Sequence, residues 1–155
     1  MKRTLTLALL LTGCAVLVSL IYTDLPSFSD GEGNIQVTAS SSVQVGGNTI
    51  RVSVADTPEK REKGLSGREG LLSDEGMLFT FEDDGYYAFW MKDMRFPIDI
   101  LWISRGGTIV DMQENVSPET YPAAFAPRTK ARYVVELPAG YVEEHAVRIG
   151  DIVRL

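Results

Sequence analysis

Cysteine and histidine are nearly missing from this 155-residue chain, which carries one of each, Cys14 and His145. A lone cysteine excludes an intramolecular disulfide, so the fold has to be held by its own packed core. With no cysteine after residue 14 and a single histidine, the chain cannot supply the usual zinc ligand sets. The acidic run Glu82-Asp83-Asp84 lacks the spaced ligands of a calcium loop. No metal and no other cofactor is expected. Positive charge is also scarce, with 15 basic against 21 acidic residues and a formal net charge of −6. Lys2 and Arg3 precede the first apolar run, so the 13 basic residues beyond it face all 21 acidic ones. That balance argues against nucleic acid as a partner and against polybasic docking on anionic lipid. Signatures of catalysis are few. Ser66 in Gly64-Leu65-Ser66-Gly67 misses the spacing of a nucleophile elbow, no glycine loop suited to phosphate is present, and His145 reads as a surface residue on a short helix. No internal repeat or low-complexity segment is found.

What the chain does have is one long uncharged run. Residues 4–22 hold nineteen consecutive uncharged residues after Lys2-Arg3. As a helix this spans roughly 28 Å, close to the thickness of a bilayer core. Positive charge before the run and Asp24 after it place the N-terminus in the cytoplasm and the rest of the chain across the membrane. Three readings share that orientation. A single-pass anchor is favoured. Leu11-Thr12-Gly13-Cys14 also resembles a lipobox whose Cys14 would be acylated, although the apolar run continues past it. A cleaved secretory signal is the third. The expected organisation is an anchor or signal over 1–23, a polar Gly- and Pro-containing linker over 24–34, and one β-rich domain over 35–155.

The densest pattern lies between residues 77 and 103. Asp84-Gly85 is a two-residue hairpin signal, and Arg95-Phe96 before Pro97 suggests a second turn. A three-strand antiparallel meander in this register sets Phe79 against Trp90, Trp90 against Leu101, and Lys92 against Asp99. Both faces are then largely apolar, as in a barrel wall or a covered sheet. Two opposite charges on an apolar face should pair. The pair is expected either to fix the hairpin register or to line a cavity and meet a ligand. Glu136, in Val134-Val135-Glu136-Leu137, is a third ionisable residue in an apolar strand, joining the pair or facing solvent.

Around the meander, strands are expected over 35–38 or 43–45 and over 49–54. A helix opens at Thr57-Pro58, with a hydroxyl cap and proline in the first position, and ends at Gly64. Further strands are expected over 108–116 and 132–137, a short helix over 141–148, and a closing strand over 151–155. Between them, residues 117–130 hold Pro118, Pro122 and Pro127 and form a long irregular loop. Tyr121 and Phe125 either pin that loop to the core or make it a lid.

Several of these pieces, in order, resemble the bacterial and archaeal domain-of-unknown-function family 192 (DUF192), from about residue 52 to 155. They are Thr57-Pro58-Glu59, Gly64-Leu65, Arg68, Gly76-Met77-Leu78-Phe79, Phe89-Trp90-Met91-Lys92, Pro97-Ile98-Asp99-Ile100, Gly107-Thr108-Ile109-Val110, Tyr133 to Leu137, Ala139-Gly140 and Gly150-Asp151. Ser66-Gly67-Arg68 and Asp93-Met94 depart slightly from the family pattern. The resemblance implies a compact, mainly antiparallel β domain with short helices, often exported or anchored, and no reaction. The expected fold is thus mainly β (α+β): barrel-like or a covered sheet, with two short helices. The expected function is a membrane-tethered, extracytoplasmic, non-catalytic small-ligand-binding module. Trp90, Lys92, Asp99, Glu136, Tyr121 and Phe125 would form its site, and residues 4–22 would contact the lipid bilayer. The alternatives are a scaffold that binds a protein partner at the membrane surface and, less favoured, an enzyme using Lys92 and Asp99.

Overall fold

The computed structural model describes residues 41–155. The expected anchor over 4–22, Cys14, the 24–34 linker and the alternative strand at 35–38 lie outside the described residues. Among the described residues, no helix is long and apolar enough to cross a membrane.

Strands β1 (Ser41–Val45) and β2 (Asn48–Ala55) form a hairpin. Its turn is Gly46-Gly47, both at positive φ, the backbone that a two-residue hairpin of this hand demands. Helix α1 (Pro58–Lys63) follows, capped by Thr57, whose hydroxyl accepts from the Lys60 amide, and closed by Gly64 at positive φ. Strand β3 (Glu75–Gly85) then returns parallel to β2. Next come a two-residue β4 (Phe89–Trp90), β5 (Ile98–Ile103) and β6 (Ile109–Val116). A single 3-10 turn at Pro118–Thr120 leads to β7 (Ala124–Phe125), β8 (Ala131–Pro138) and helix α2 (Tyr141–Glu144).

Six strands make one mixed sheet in the order β1-β2-β3-β8-β5-β6, while β4 and β7 form a separate ribbon. The domain is mainly β with two short helices, but the sheet is not closed into a barrel. Instead of a regular closing strand, the last residues touch both edges: Arg154 bridges Gln44 of β1, and Ile152 bridges Thr108 ahead of β6.

The expected meander does not form. Strand β8 enters between β3 and β5, so Phe79 pairs with Val134, and Leu101 pairs with Val135. Neither Asp84 nor Gly85 takes positive φ, and β3 continues through both, with an irregularity in its pairing between Thr80 and Gly85. Trp90 leaves the main sheet and pairs with Ala124 in the ribbon. The physical reason is the composition of β8. Val134, Val135 and Leu137 have no exposed surface, and an apolar strand buried on both faces belongs inside a sheet rather than at its edge. Inserting it reverses the parity of the faces. Phe79 now shares a core with Ile100 and Trp102, while Leu78 shares the other with Leu101 and Ile103.

Lys92 and Asp99 therefore do not pair. Lys92 is exposed, whereas Asp99 is fully buried on the sheet face covered by α2. The Asp99 carboxyl accepts from the amides of Asn115 (2.8 Å), Val142 (2.8 Å) and Gly140 (3.3 Å). Gly140 caps α2 without a side chain of its own, so Asp99 satisfies amides there from a neighbouring strand. The buried charge expected to need a lysine is answered by backbone donors. Replacing it would strand three donors at once. Asp99→Ala should lose roughly 3–4 kcal/mol in urea unfolding, against little change for Lys92→Met; equal losses would contradict these assignments.

Candidate ligand-binding site

The other face of the sheet carries the candidate site. Glu136 opposes Met77 of β3 on one side and Ile100 of β5 on the other. Its side chain thus points away from Asp99, which opposes Leu137. Strand β3 approaches closely there: a Cβ on Gly76 would stand 2.7 Å from the Glu136 carbonyl oxygen, so no other residue fits without parting the strands. Glu136 is only 6% exposed, and its Oε2 is buried without a hydrogen-bond partner. Burial pushes its carboxyl up to about 8, and the positive charge of Arg68 offsets only part of that.

Glu136 lines a cavity of about 340 Å³. Its walls are Leu65, Phe79, Phe81, Tyr87, Phe89, Trp90 and Met94, and its rim includes Arg61, Glu62 and Lys63 of α1. The walls hold one another in place. Phe81 and Tyr87 stack at 3.5 Å, and Phe79 meets Phe89 edge-on at 4.8 Å. The Trp102 indole donates to the Tyr87 carbonyl (2.8 Å), and Arg61 donates to Thr80 O (2.9 Å), tying α1 to β3. Ser66 Oγ donates to Lys92 O (2.9 Å), and Gly67 N donates to Asp93 O (3.0 Å), so the loop after α1 is fastened to the chain after β4.

Of the six residues expected at the site, Trp90 and Glu136 line the cavity, Lys92, Tyr121 and Phe125 neighbour Trp90 or Phe89 outside its lining, and Asp99 lies on the opposite face. Trp90 lines the cavity mouth and is 53% exposed. Lys92 Nζ lies 5.9 Å from the Trp90 ring centroid, and Tyr121 meets that ring edge-on at 5.9 Å. Phe125 pairs with Phe89 across the β4–β7 ribbon. Sequence reasoning missed Phe79, Phe81, Tyr87 and Phe89 as walls, because nothing local shows that β3 and β4 diverge and open a space between them. The loop carrying Tyr121 and Phe125 is clamped by Arg128. Its guanidinium donates to both carboxyl oxygens of Asp111 at 2.7 and 2.9 Å, holding Asp111 down to about 2.

The sequence profile of the DUF192 family, described as Uncharacterized ACR, matches residues 41–155. This chain belongs to the DUF192 family. A Sinorhizobium meliloti 1021 protein, described as a proposed transcription regulator, is similar in structure, with 36% identity and a TM-score of 0.70 over 75% of this chain and 93% of that one. A Novosphingobium aromaticivorans DSM 12444 protein of unknown function is 24% identical, with a TM-score of 0.71 over 75% of this chain and 85% of that one, and shares the fold. No curated protein matches the chain.

In this DUF192 domain the buried Glu136 makes stability depend on pH in a definite direction. Below pH 4.5 both folded and unfolded chains hold the proton. Between 4.5 and about 8 only the unfolded chain releases it, which favours unfolding as pH rises. The full span corresponds to at most roughly 5 kcal/mol. In urea titrations, Glu136→Gln should gain stability relative to wild type steadily from pH 5 to pH 8. Parallel curves for the two proteins would show that Glu136 ionises as freely folded as unfolded.

Proposed function

We propose that this DUF192 protein is a non-catalytic small-ligand-binding module, tethered at the extracytoplasmic face of a membrane by residues 4–22. The tether rests on the charge arrangement around that uncharged run. The binding role rests on one observation above all: an aromatic-walled cavity of about 340 Å³ with a buried, unpartnered carboxyl in its lining. Ligand sites commonly have this form, an apolar concavity of about 300–1,000 Å³ with few polar groups that orient the occupant. Buried polar atoms are usually satisfied, and a ligand donor would complete Glu136. Trp90 stands at the mouth with Tyr121 edge-on against it, where the clamped 117–130 loop serves as a lid. Lys92 lies beside Trp90 outside the cavity lining, and Asp99 belongs to the scaffold beneath.

A scaffold reading has its own observation. Ile149, Ile152 and Leu155 are all about half exposed or more near the chain's end, where a protein partner would cover them. The relative described as a regulator suggests a nucleic-acid link, but residues 41–155 carry 13 basic and 18 acidic residues, a balance that opposes it.

Native mass spectrometry of the full chain, extracted gently from its membrane, tests the binding reading. Ala88 is exposed and lines the cavity, so Ala88→Trp fills the mouth without entering the core. Wild type should carry a small molecule that a folded Ala88→Trp lacks. The same molecule retained by the variant would place binding elsewhere, and a stable protein complex with neither affected would favour the scaffold.

A further inference from the structure

We infer that the cavity takes a primary amine borne on an apolar or aromatic body, with its ammonium seated against the Glu136 carboxyl in the cavity lining among the aromatic walls. This rests on the binding role proposed above and names the class of ligand. Three features of the site select that class. The first is the acceptor. Glu136 has no partner for its buried Oε2, and once ionised its carboxylate accepts an N–H, which a quaternary ammonium lacks, and repels a ligand carboxylate.

The second is the wall. Aromatic faces carry negative charge density and attract cations, most strongly when water is excluded. Two of these rings already sit beside cations of the protein: Arg61 lies 5.2 Å from the Phe81 centroid, and Lys92 lies 5.9 Å from that of Trp90. The third is the size. About 340 Å³ suits a small molecule with one ring or a short alkyl chain, at the low end of ligand cavities.

The charges around Glu136 set how pH enters. From α1, Arg61, Glu62 and Lys63 line the rim. The following loop contributes Arg68, which acts on Glu136 across space. Tyr87 is the one phenol in the lining. The flanking strands β3 and β5 place Met77 and Ile100 opposite Glu136, and Asp99 opposes Leu137 on the other face. Arg61 is engaged by the carbonyls of Asp56 and Thr80. Below pH 8 the empty site holds a proton on Glu136. An ammonium displaces it, so each binding event releases about one proton to solvent, and affinity rises about tenfold per pH unit toward pH 8.

The test uses the full-length protein in nanodiscs of zwitterionic lipid, with empty nanodiscs as blank, titrated calorimetrically with three probes: 2-phenylethylamine, 2-phenylethanol and 3-phenylpropanoate. The amine should bind tightest, about tenfold more tightly at pH 7 than at pH 6, with proton uptake by the buffer. Glu136→Gln should weaken the amine at least tenfold and the alcohol much less. If the alcohol or the carboxylate matches the amine, or if amine binding ignores both pH and Glu136→Gln, the amine class is overturned and the binding role stands. If no probe of any charge binds, the binding role falls with it.

Discussion

The site depends on one constraint, the position of β8 at the middle of the sheet. Hydrogen-bonded to β3 on one side and β5 on the other, β8 can present its side chains only to the two covered faces. Val134, Val135 and Leu137 suit that placement. Glu136 does not, and it has no edge from which to reach water. The close approach at Gly76 draws β3 tight against the same residue. A carboxyl is thereby held in an apolar environment by the most extensively paired part of the fold.

Two buried carboxyls on opposite faces of this sheet show how differently burial can be resolved. Asp99 meets three backbone amides, and its burial joins β5, the end of β6 and the start of α2. Such a group is structural, because its hydrogen-bonding capacity is used within the fold. The Oε2 of Glu136 has no partner, and its carboxyl answers burial by holding its proton toward pH 8. An unsatisfied buried group opposes stability by about 1–3 kcal/mol. Sites adapted to bind are where such groups accumulate. The cavity walls beside it are aromatic and mutually braced, which limits the rearrangement that binding would require.

Much of the local structure is legible in the sequence, and the long-range pairing is not. Thr57-Pro58 and Gly64 mark the ends of α1 because capping chemistry is local, and Gly46-Gly47 marks a turn because positive φ at both positions favours glycine. Asp84-Gly85 carries a similar turn signal, yet its strand runs on and Gly85 pairs with Ala131 of β8 after an irregularity. That substitution of partners reverses which residues share a face, so the expected Lys92–Asp99 pair gives way to an exposed lysine and an amide-bound aspartate. Among the site residues, Trp90, Tyr121 and Phe125 stand out as apolar residues in irregular or short elements. Glu136 stands out as a charge in an apolar strand. Its orientation needed the register of two non-local neighbours, and the cavity needed the divergence of β3 from β4, which no local pattern encodes.

Glu136 is a buried carboxyl whose Oε2 lacks an internal partner, and its own titration is the measurement to make. Full-length protein labelled with 13C at glutamate carboxyls, compared with Glu136→Gln to assign the resonance, would give the Glu136 midpoint by NMR. The expected midpoint is about 8. A midpoint near the ordinary glutamate value of 4.5 would mean that Glu136 is solvated or paired in solution, and the cavity would lose the group on which its proposed ligand chemistry rests.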